Sequence, residues 1–354
     1  EIGHIYFPMV VNTDERQWTW MDEGINTFLQ FQAEQRWEEG FRSRRGDPDL
    51  MTDYMASSTQ MPIMTQSDSI LQFGSNAYGK PATALVVLRE TVLGRELFDD
   101  AFRAYSERWR FRRPTPYDFF RTMEEVSGVD LDWFWRGWFY STDHVDISLD
   151  RVIEGTFNTE DPAVESLLER ADDTEIRENL TPQRNAEEGI VTYADRNPEV
   201  QDFYSRNDPF TVTEREREAF ERFQGEIEDW EQDILESGDR VYYLDFTNEG
   251  GVVMPIILEF TFADGTTDLV RIPAEVWRYD PRNVTWTYVT DRQVVSVELD
   301  PLRETADADR TDNYYPPRIE PTRLELYRSS SNPSSMMDDM DQRVTRDSVR
   351  TRPE

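Results

Sequence analysis

The chain has 354 residues, 72 acidic and 38 basic, which gives a formal net charge of −34 at pH 7. This length corresponds to two or three domains and is long enough for a large hydrophobic core. The excess of acidic residues excludes nucleic acids and anionic membrane surfaces as partners, because too few cationic side chains remain to neutralise phosphates. Since hydrophobic residues make up 37% of the chain, we expect it to fold rather than to remain an acidic disordered tail.

Lysine and cysteine are used in an unusual way. Lys80 is the only lysine, so nearly all the basic residues are arginine, and there is no cysteine. A surface rich in carboxylates suits very salty water, because salt screens the repulsion between like charges. We therefore expect a halophilic source, with an acidic, arginine-biased genome as the alternative. The lack of cysteine excludes disulfides and cysteine–zinc sites. The cellular location stays unknown, with an extracytoplasmic one preferred.

The start of the sequence indicates a fragment. The chain begins at Glu1 without an initiator methionine or a signal-peptide pattern. No apolar run reaches the roughly 18 residues of a membrane-spanning helix. We therefore expect that the N-terminal half of the same protein is missing before Glu1.

Residues 1–146 are expected to be helical and rich in aromatic core residues. Thr115 at the cap, Pro116 in the first turn and Asp118 at the third position are typical of a helix start. Gly128 is a natural end for that helix. Helical spacing predicts one buried face over residues 96–109. The members of that face are Leu97, Phe98, Ala101, Phe102 and Tyr105. The further aromatic residues expected in the core are Trp133, Phe134, Trp135, Trp138 and Phe139.

Three further regions follow. Residues 147–240 are predicted to be an acidic linker or insert with exposed helices, since residues 151–240 hold 26 acidic and 10 basic side chains. Residues 241–312 contain short apolar runs, two of them joined by Asp264-Gly265, a strong hairpin signal, and they predict a β-sandwich. Residues 313–354 are expected to form a largely disordered tail. The predicted fold class is therefore α + β and multidomain.

The chemistry centres on His4 and Glu23. A histidine before Glu1 would complete the motif H-E-x-x-H, in which two histidines on one helix face bind zinc and the glutamate acts as a general base. Eighteen residues separate His4 from Glu23, which can supply the third ligand of a catalytic site that keeps one position open.

The run from Glu1 to Phe28 resembles the zinc-binding core of the aminopeptidase N-type gluzincins. That family has H-E-x-x-H, eighteen residues and then a glutamate, with an aromatic pair after the second histidine and a W-(L/M)-(N/D)-E-G box. Tyr6-Phe7 and Trp20 to Gly24 match these places, while Pro8 replaces the usual glycine. The resemblance implies a gluzincin catalytic domain of which 1–146 is the helical C-terminal part, followed by the small β-sandwich. It covers residues 1–150 well and 241–310 loosely.

The resemblance also implies roles for individual residues. It makes His4 and Glu23 ligands of one Zn²⁺ ion, whose third ligand is expected just before Glu1, and it makes Glu1 the general base. The run Asn76 to Ala82 resembles the family's Y-E-K-G-A box, in which the tyrosine hydrogen-bonds to the oxyanion of the tetrahedral intermediate. Tyr78 would take that role, although Gly79 departs from the box.

Three other residues have less specific interpretations. We interpret Asp22 as a supporting or helix-cap residue rather than a ligand, and His144 as a surface residue. Lys80 has no assigned role.

The sequence thus predicts a zinc metallopeptidase, an aminopeptidase acting on peptide substrates. Substrate-binding residues stay unknown. The fragment itself is expected to bind zinc weakly and to be inactive, because one histidine ligand is missing. The alternative is a non-catalytic homologue that serves as an interaction scaffold. A different enzyme of the same clan, such as an epoxide hydrolase acting on a lipid, is a third possibility.

Overall fold

The computed structural model describes residues 1–175, 179–200, 202–203 and 207–318. The chain divides into two compact units. The first contains Glu1–Val152, Tyr243–Trp286 and the described residues from Val294 onward, and the second contains Ile153–Tyr242 and Thr287–Gln293.

The first unit begins with a largely helical region. Its π-helical turn Gly74–Gly79 leads directly into a helix whose eight residues are all buried, Lys80–Val87. The α-helices of this region are α1 (Glu23–Trp37), α2 (Thr52–Met55), α3 (Lys80–Val87), α4 (Arg95–Arg108), α5 (Pro116–Ser127) and α6 (Asp132–Trp135).

The predicted cap of α5 is present. The backbone N–H and the hydroxyl of Thr115 both donate to Asp118 Oδ2, at 2.8 and 2.9 Å. At the other end Gly128 adopts φ 72°, a left-handed conformation that glycine tolerates best. The cap at Thr115 and the glycine at position 128 therefore begin and end α5 at the positions predicted from the sequence.

An aromatic cluster forms the core of the helical region. Trp20 is completely buried, stacks on Phe120 with 5.9 Å between ring centroids, and meets Phe139 edge-on at 4.8 Å. Of the predicted buried face of α4, Phe98 and Tyr105 are fully buried, whereas 43% of Leu97 is exposed, so its assignment to that face is wrong. The rings anchor the segment that precedes α1.

Two small sheets follow. Gly265 adopts φ +82° in the turn between β3 (Ile256–Phe262) and β4 (Thr267–Ile272), so the Asp264-Gly265 hairpin is confirmed. One sheet has the order β1 (Ile147–Thr156), β2 (Arg240–Asn248), β5 (Asn283–Thr290), and the other has the order β4 (Thr267–Ile272), β3 (Ile256–Phe262), β6 (Val294–Leu299), β7 (Tyr314–Tyr315).

The second unit carries the predicted exposed helices. Its helix α10 (Glu214–Glu226) bears the Glu/Arg alternation on a largely exposed surface. The helices are α7 (Pro162–Glu175), α8 (Leu180–Glu187), α9 (Tyr193–Arg196), α10 (Glu214–Glu226) and α11 (Asp229–Ser237).

The predicted fold class, a helical region combined with a small β domain, is confirmed. The four boundaries stay predictions. Strand β1 lies within the range given to the linker, and β7 within the range given to the tail. Most of that tail, residues 319–354, lies outside the described residues. None of the described helices is long and apolar enough to cross a membrane.

Candidate active site

His4 lies in a short 3-10 turn, Gly3–Ile5. This turn packs closely on α1, because a Cβ atom at Gly3 would collide with Asn26 Oδ1. The buried Asn26 amide also donates to the carbonyl of Phe7 at 2.5 Å, which attaches the chain after His4 to the same helix. A glycine at position 3 is therefore required for His4 to approach the start of α1.

Glu23 is the first residue of α1, and the aromatic core holds it in place. Trp20 and Met21, which directly precede Asp22 and Glu23, are completely buried. His4 Nε2 donates to Glu23 Oε2 at 3.0 Å. The two residues that the motif predicts as ligands are thus in direct contact.

Tyr78 reaches Glu23 from the π-helical turn Gly74–Gly79. Its hydroxyl donates to Glu23 Oε1 at 2.5 Å, and Arg45 Cζ lies 4.6 Å from the centroid of its ring. Burial, reinforced by the contact with Glu23, raises the pKa of the Tyr78 hydroxyl to about 12. The phenol therefore stays a neutral hydrogen-bond donor at any physiological pH.

Asp22 is a member of the cluster that the sequence interpretation did not treat as a ligand. Its Oδ1 lies 3.0 Å from His4 Nε2, and only 7% of the residue is exposed. Burial, the neighbouring Glu15 and the charge of Glu23 raise the pKa of the Asp22 carboxyl to about 7. The one available signal was the pair of adjacent carboxylates at a helix start, which is also typical of an ordinary cap.

These residues share one open cavity of about 750 Å³. Its lining includes Glu1, so the cavity brings together all four residues predicted for catalysis and metal binding. It also includes Arg45, which lies far from the motifs along the chain and carried no sequence signal. The charged and catalytic candidates on its wall are Glu1, His4, Glu15, Asp22, Glu23, Arg45 and Tyr78.

The cluster fits a divalent cation. One ligand atom each from His4, Asp22 and Glu23 can be chosen so that all three lie within 4.8 Å of one another. Asp22 Oδ1 is buried and lies 3.0 Å from His4 Nε2, so its carboxylate stands beside the imidazole nitrogen that a cation would contact. One imidazole nitrogen and two carboxylate oxygens are a donor set that zinc accepts.

Two other residues considered in the sequence lie outside this cavity. Lys80 is completely buried and donates to Gln60 Oε1 at 2.5 Å. His144 lies near strand β1, with Nε2 3.5 Å from Asp146 Oδ2. Neither residue lines the cavity that holds His4.

Part of the chain also matches a known protein family. Residues 1–138 match the peptidase family M1 domain. The predicted resemblance to aminopeptidase N-type gluzincins is thereby confirmed, and the cavity lies within the part of the chain that matches the M1 domain.

Two individual proteins are also similar to this chain. A glutamyl aminopeptidase from Bitis rhinoceros is 29% identical over 136 residues, which are 36% of this chain and 14% of the relative. The crystal structure of Legionella pneumophila aminopeptidase A in complex with aspartic acid aligns with a TM-score of 0.44 and 14% identity, covering 87% of this chain and 26% of that one. The chain therefore spans about a seventh of the curated relative.

Proposed function

We propose that the full-length protein is a zinc-dependent metallopeptidase, an aminopeptidase that removes N-terminal residues from peptides. The observation that carries the proposal is the pair of contacts at Glu23, which joins His4 through Oε2 and Tyr78 through Oε1. A helix-cap glutamate needs neither contact. The M1 match over residues 1–138 supports the same reaction class.

His4 and Glu23 are the proposed zinc ligands. When bound there, zinc would polarise the scissile carbonyl and lower the pKa of water. Glu1, on the wall of the same cavity, would accept a proton from the attacking water and pass it to the leaving amine. Tyr78 would donate its hydroxyl proton in a hydrogen bond to the developing oxyanion, a role that its neutral phenol allows.

The scaffold alternative is not favoured by any described feature. A non-catalytic module has no need for an imidazole, two carboxylates and a phenol that contact one another at one cavity. An epoxide hydrolase would open the C–O bond of an epoxide ring instead of cleaving a peptide bond, so hydrolysis of an aminoacyl chromogenic substrate by the full-length protein separates it from a peptidase.

The decisive variant is Tyr78→Phe in the full-length protein. We expect kcat for an aminoacyl chromogenic substrate to fall about 100- to 1,000-fold, because one oxyanion donor is lost. Zinc content, measured by atomic emission, is expected to stay unchanged, since Tyr78 is not a proposed ligand. Tyr279→Phe is the matched control because 95% of Tyr279 is exposed. Wild-type turnover in the Tyr78 variant would refute the proposed role.

A further inference from the structure

We propose that a groove between α7 and α10 binds a cationic, amphipathic segment of a partner polypeptide. The groove consists of two cavities, of about 270 and 150 Å³, that both border on Phe220 and Phe223. It lies wholly within the second unit, so the inference does not depend on the proposed peptidase activity.

The first support is that the helices of the second unit have no core of their own. Among residues 157–239, none whose exposure the structure describes is buried, whereas every residue of α3 in the first unit is. On α7, 66% of Leu167 and 54% of Leu168 are exposed. Helices that bury so little apolar surface gain little free energy from packing, so a partner that covers them would stabilise them.

The second support is the ordered aromatic surface of the groove. Phe220 and Phe223 are three residues apart and therefore lie on one face of α10. Phe210 is attached to α7, because Ser166 Oγ donates a hydrogen bond to its carbonyl and Arg170 Cζ lies 5.3 Å from its ring centroid. An apolar surface of this kind accepts the apolar face of an amphipathic helix.

The third support is the charge around the groove. Glu160, Glu165 and Glu169 line it, and no arginine, lysine or histidine is among the residues that line the two cavities. Within the described part of the chain, none of these three carboxylates forms an ion pair, whereas Glu214 at the start of α10 pairs with Arg217. Glu165 and Glu169 also stand four residues apart on α7, a spacing at which like charges destabilise a helix. An arginine or lysine from a partner would offset this repulsion.

A second copy of this chain is the less suitable occupant. Its net charge of −34 would bring further carboxylates to a groove lined by unpaired glutamates. We therefore assign the groove to a partner segment that carries arginine or lysine around leucine or aromatic anchors.

The test is the binding of a synthetic peptide to the complete 354-residue chain. The probe has 14 residues, the length of α7, with leucine and phenylalanine on one helix face and lysine on the other. A scrambled peptide of identical composition keeps the charge and loses the apolar face. In fluorescence anisotropy at about 0.15 M ionic strength, we expect the amphipathic peptide to bind at least about tenfold more tightly than the scrambled one.

The apolar contact is tested by Phe223→Ala, which we expect to weaken binding of the amphipathic peptide at least about tenfold because it removes a central aromatic anchor. Tyr193→Ala is the matched control, since 68% of Tyr193 is exposed and it does not line the groove. Its affinity is expected to stay within about twofold of the wild type.

The charge contact is tested by the double variant Glu165→Gln/Glu169→Gln, which we expect to weaken binding by about threefold to tenfold. The double variant Glu218→Gln/Glu221→Gln removes the same charge from exposed residues of α10 that do not line the groove. It is expected to change the affinity by less than about twofold.

Three results would overturn the inference. The two peptides could bind equally, Phe223→Ala could bind as tightly as the wild type, or the control double variant could lose as much affinity as the groove double variant. Sedimentation equilibrium tests the other occupant: a dimer of the chain that Phe223→Ala dissociates would assign the groove to a second copy and refute the cationic partner. The far-ultraviolet circular dichroism and melting temperature of each variant show that a loss of affinity does not come from unfolding.

Discussion

Lys80 is fully buried, yet it carries an amine that is charged in water. Its Nζ donates to Gln60 Oε1, and the Gln60 amide nitrogen donates to the carbonyls of Met55 and Thr142, each at 2.6 Å. This connection joins the start of α3 to two loops, directly after the turn that carries Tyr78. Burial lowers the pKa of the Lys80 amine to about 7, and the charge of Asp143 opposes the shift.

Lys80 should make the free energy of unfolding depend on pH. A lysine in the unfolded chain has a pKa of about 10.4, so above pH 7 the unfolded state binds more protons at this site than the folded state. Folding therefore becomes more favourable as the pH rises, by up to about 1.4 kcal/mol per unit. We expect this increase between about pH 7.5 and pH 9.5 in the wild type and its loss in Lys80→Met.

Urea unfolding of both proteins across this pH range measures the effect. The difference between the two curves isolates Lys80, because every other titrating group is common to both proteins. If the free energies of unfolding of wild type and variant run parallel with pH, the shifted pKa is refuted.

Individual residues also show which parts of the candidate site could be predicted from the sequence. His4, Glu23 and Tyr78 could be chosen as candidates from the sequence, because each of them stands in a short motif that is visible without knowledge of the fold. Arg45 could not, since its position over the Tyr78 ring depends on how the chain folds between them. Asp22 was visible in the motif, but whether its oxygen meets His4 or solvent is decided only by tertiary packing.

At the scale of elements, α1 and α3 meet at Gly24. A Cβ atom there would lie 2.6 Å from Pro81 Cγ and 3.2 Å from the carbonyl of Ala77. Both contacts involve the stretch that carries Tyr78, so the glycine lets Glu23 and Tyr78 approach each other.

We expect Gly24→Ala to lower the free energy of unfolding by about 1–3 kcal/mol, because the added methyl group overpacks a closed contact. Gly225→Ala in α10 is the matched control: no atom lies within 4 Å of the added Cβ. There the substitution should leave stability unchanged or raise it by up to about 1 kcal/mol. Thermal unfolding followed by calorimetry compares the two, and equal effects would contradict the packing argument.

Elements differ in how well local signals define them. The cap of α5 and the β3–β4 hairpin were predictable because a few neighbouring residues determine them. The π-helical turn Gly74–Gly79 was not, since its hydrogen-bond pattern leaves no periodic signature in six residues. The 3-10 turn at His4 likewise could not be predicted, because three residues are too few to show a periodic pattern.

At the scale of the whole molecule, the net charge of −34 opposes folding through repulsion. We expect the melting temperature to rise when NaCl increases from 0.1 M to 3 M, as the Debye length falls from about 10 Å to below 3 Å. The triple variant Glu218→Gln, Glu221→Gln, Asp233→Asn removes charges from exposed residues and should gain less from salt. Calorimetry measures the rise in melting temperature of both proteins. Salt also strengthens the burial of apolar surface, but this effect is the same in both proteins, so the difference between the two rises reports charge screening. Equal gains would argue against screening.

The overall order of a helical region and then β strands was predictable, because it follows from composition shifts along the chain. The division into two units was not. The second unit takes in Thr287–Gln293 as well as Ile153–Tyr242, and no local signal links segments so far apart in sequence.

The burial of Lys80 also has a practical consequence for labelling chemistry. Because this is the only lysine of the sequence and it is buried, an amine-reactive acylating reagent would modify only the terminal amino group of the folded chain. Acylation at position 80 requires α3 to open. Its rate, followed by mass spectrometry, would time the local opening of the helix next to Tyr78 without any engineered probe.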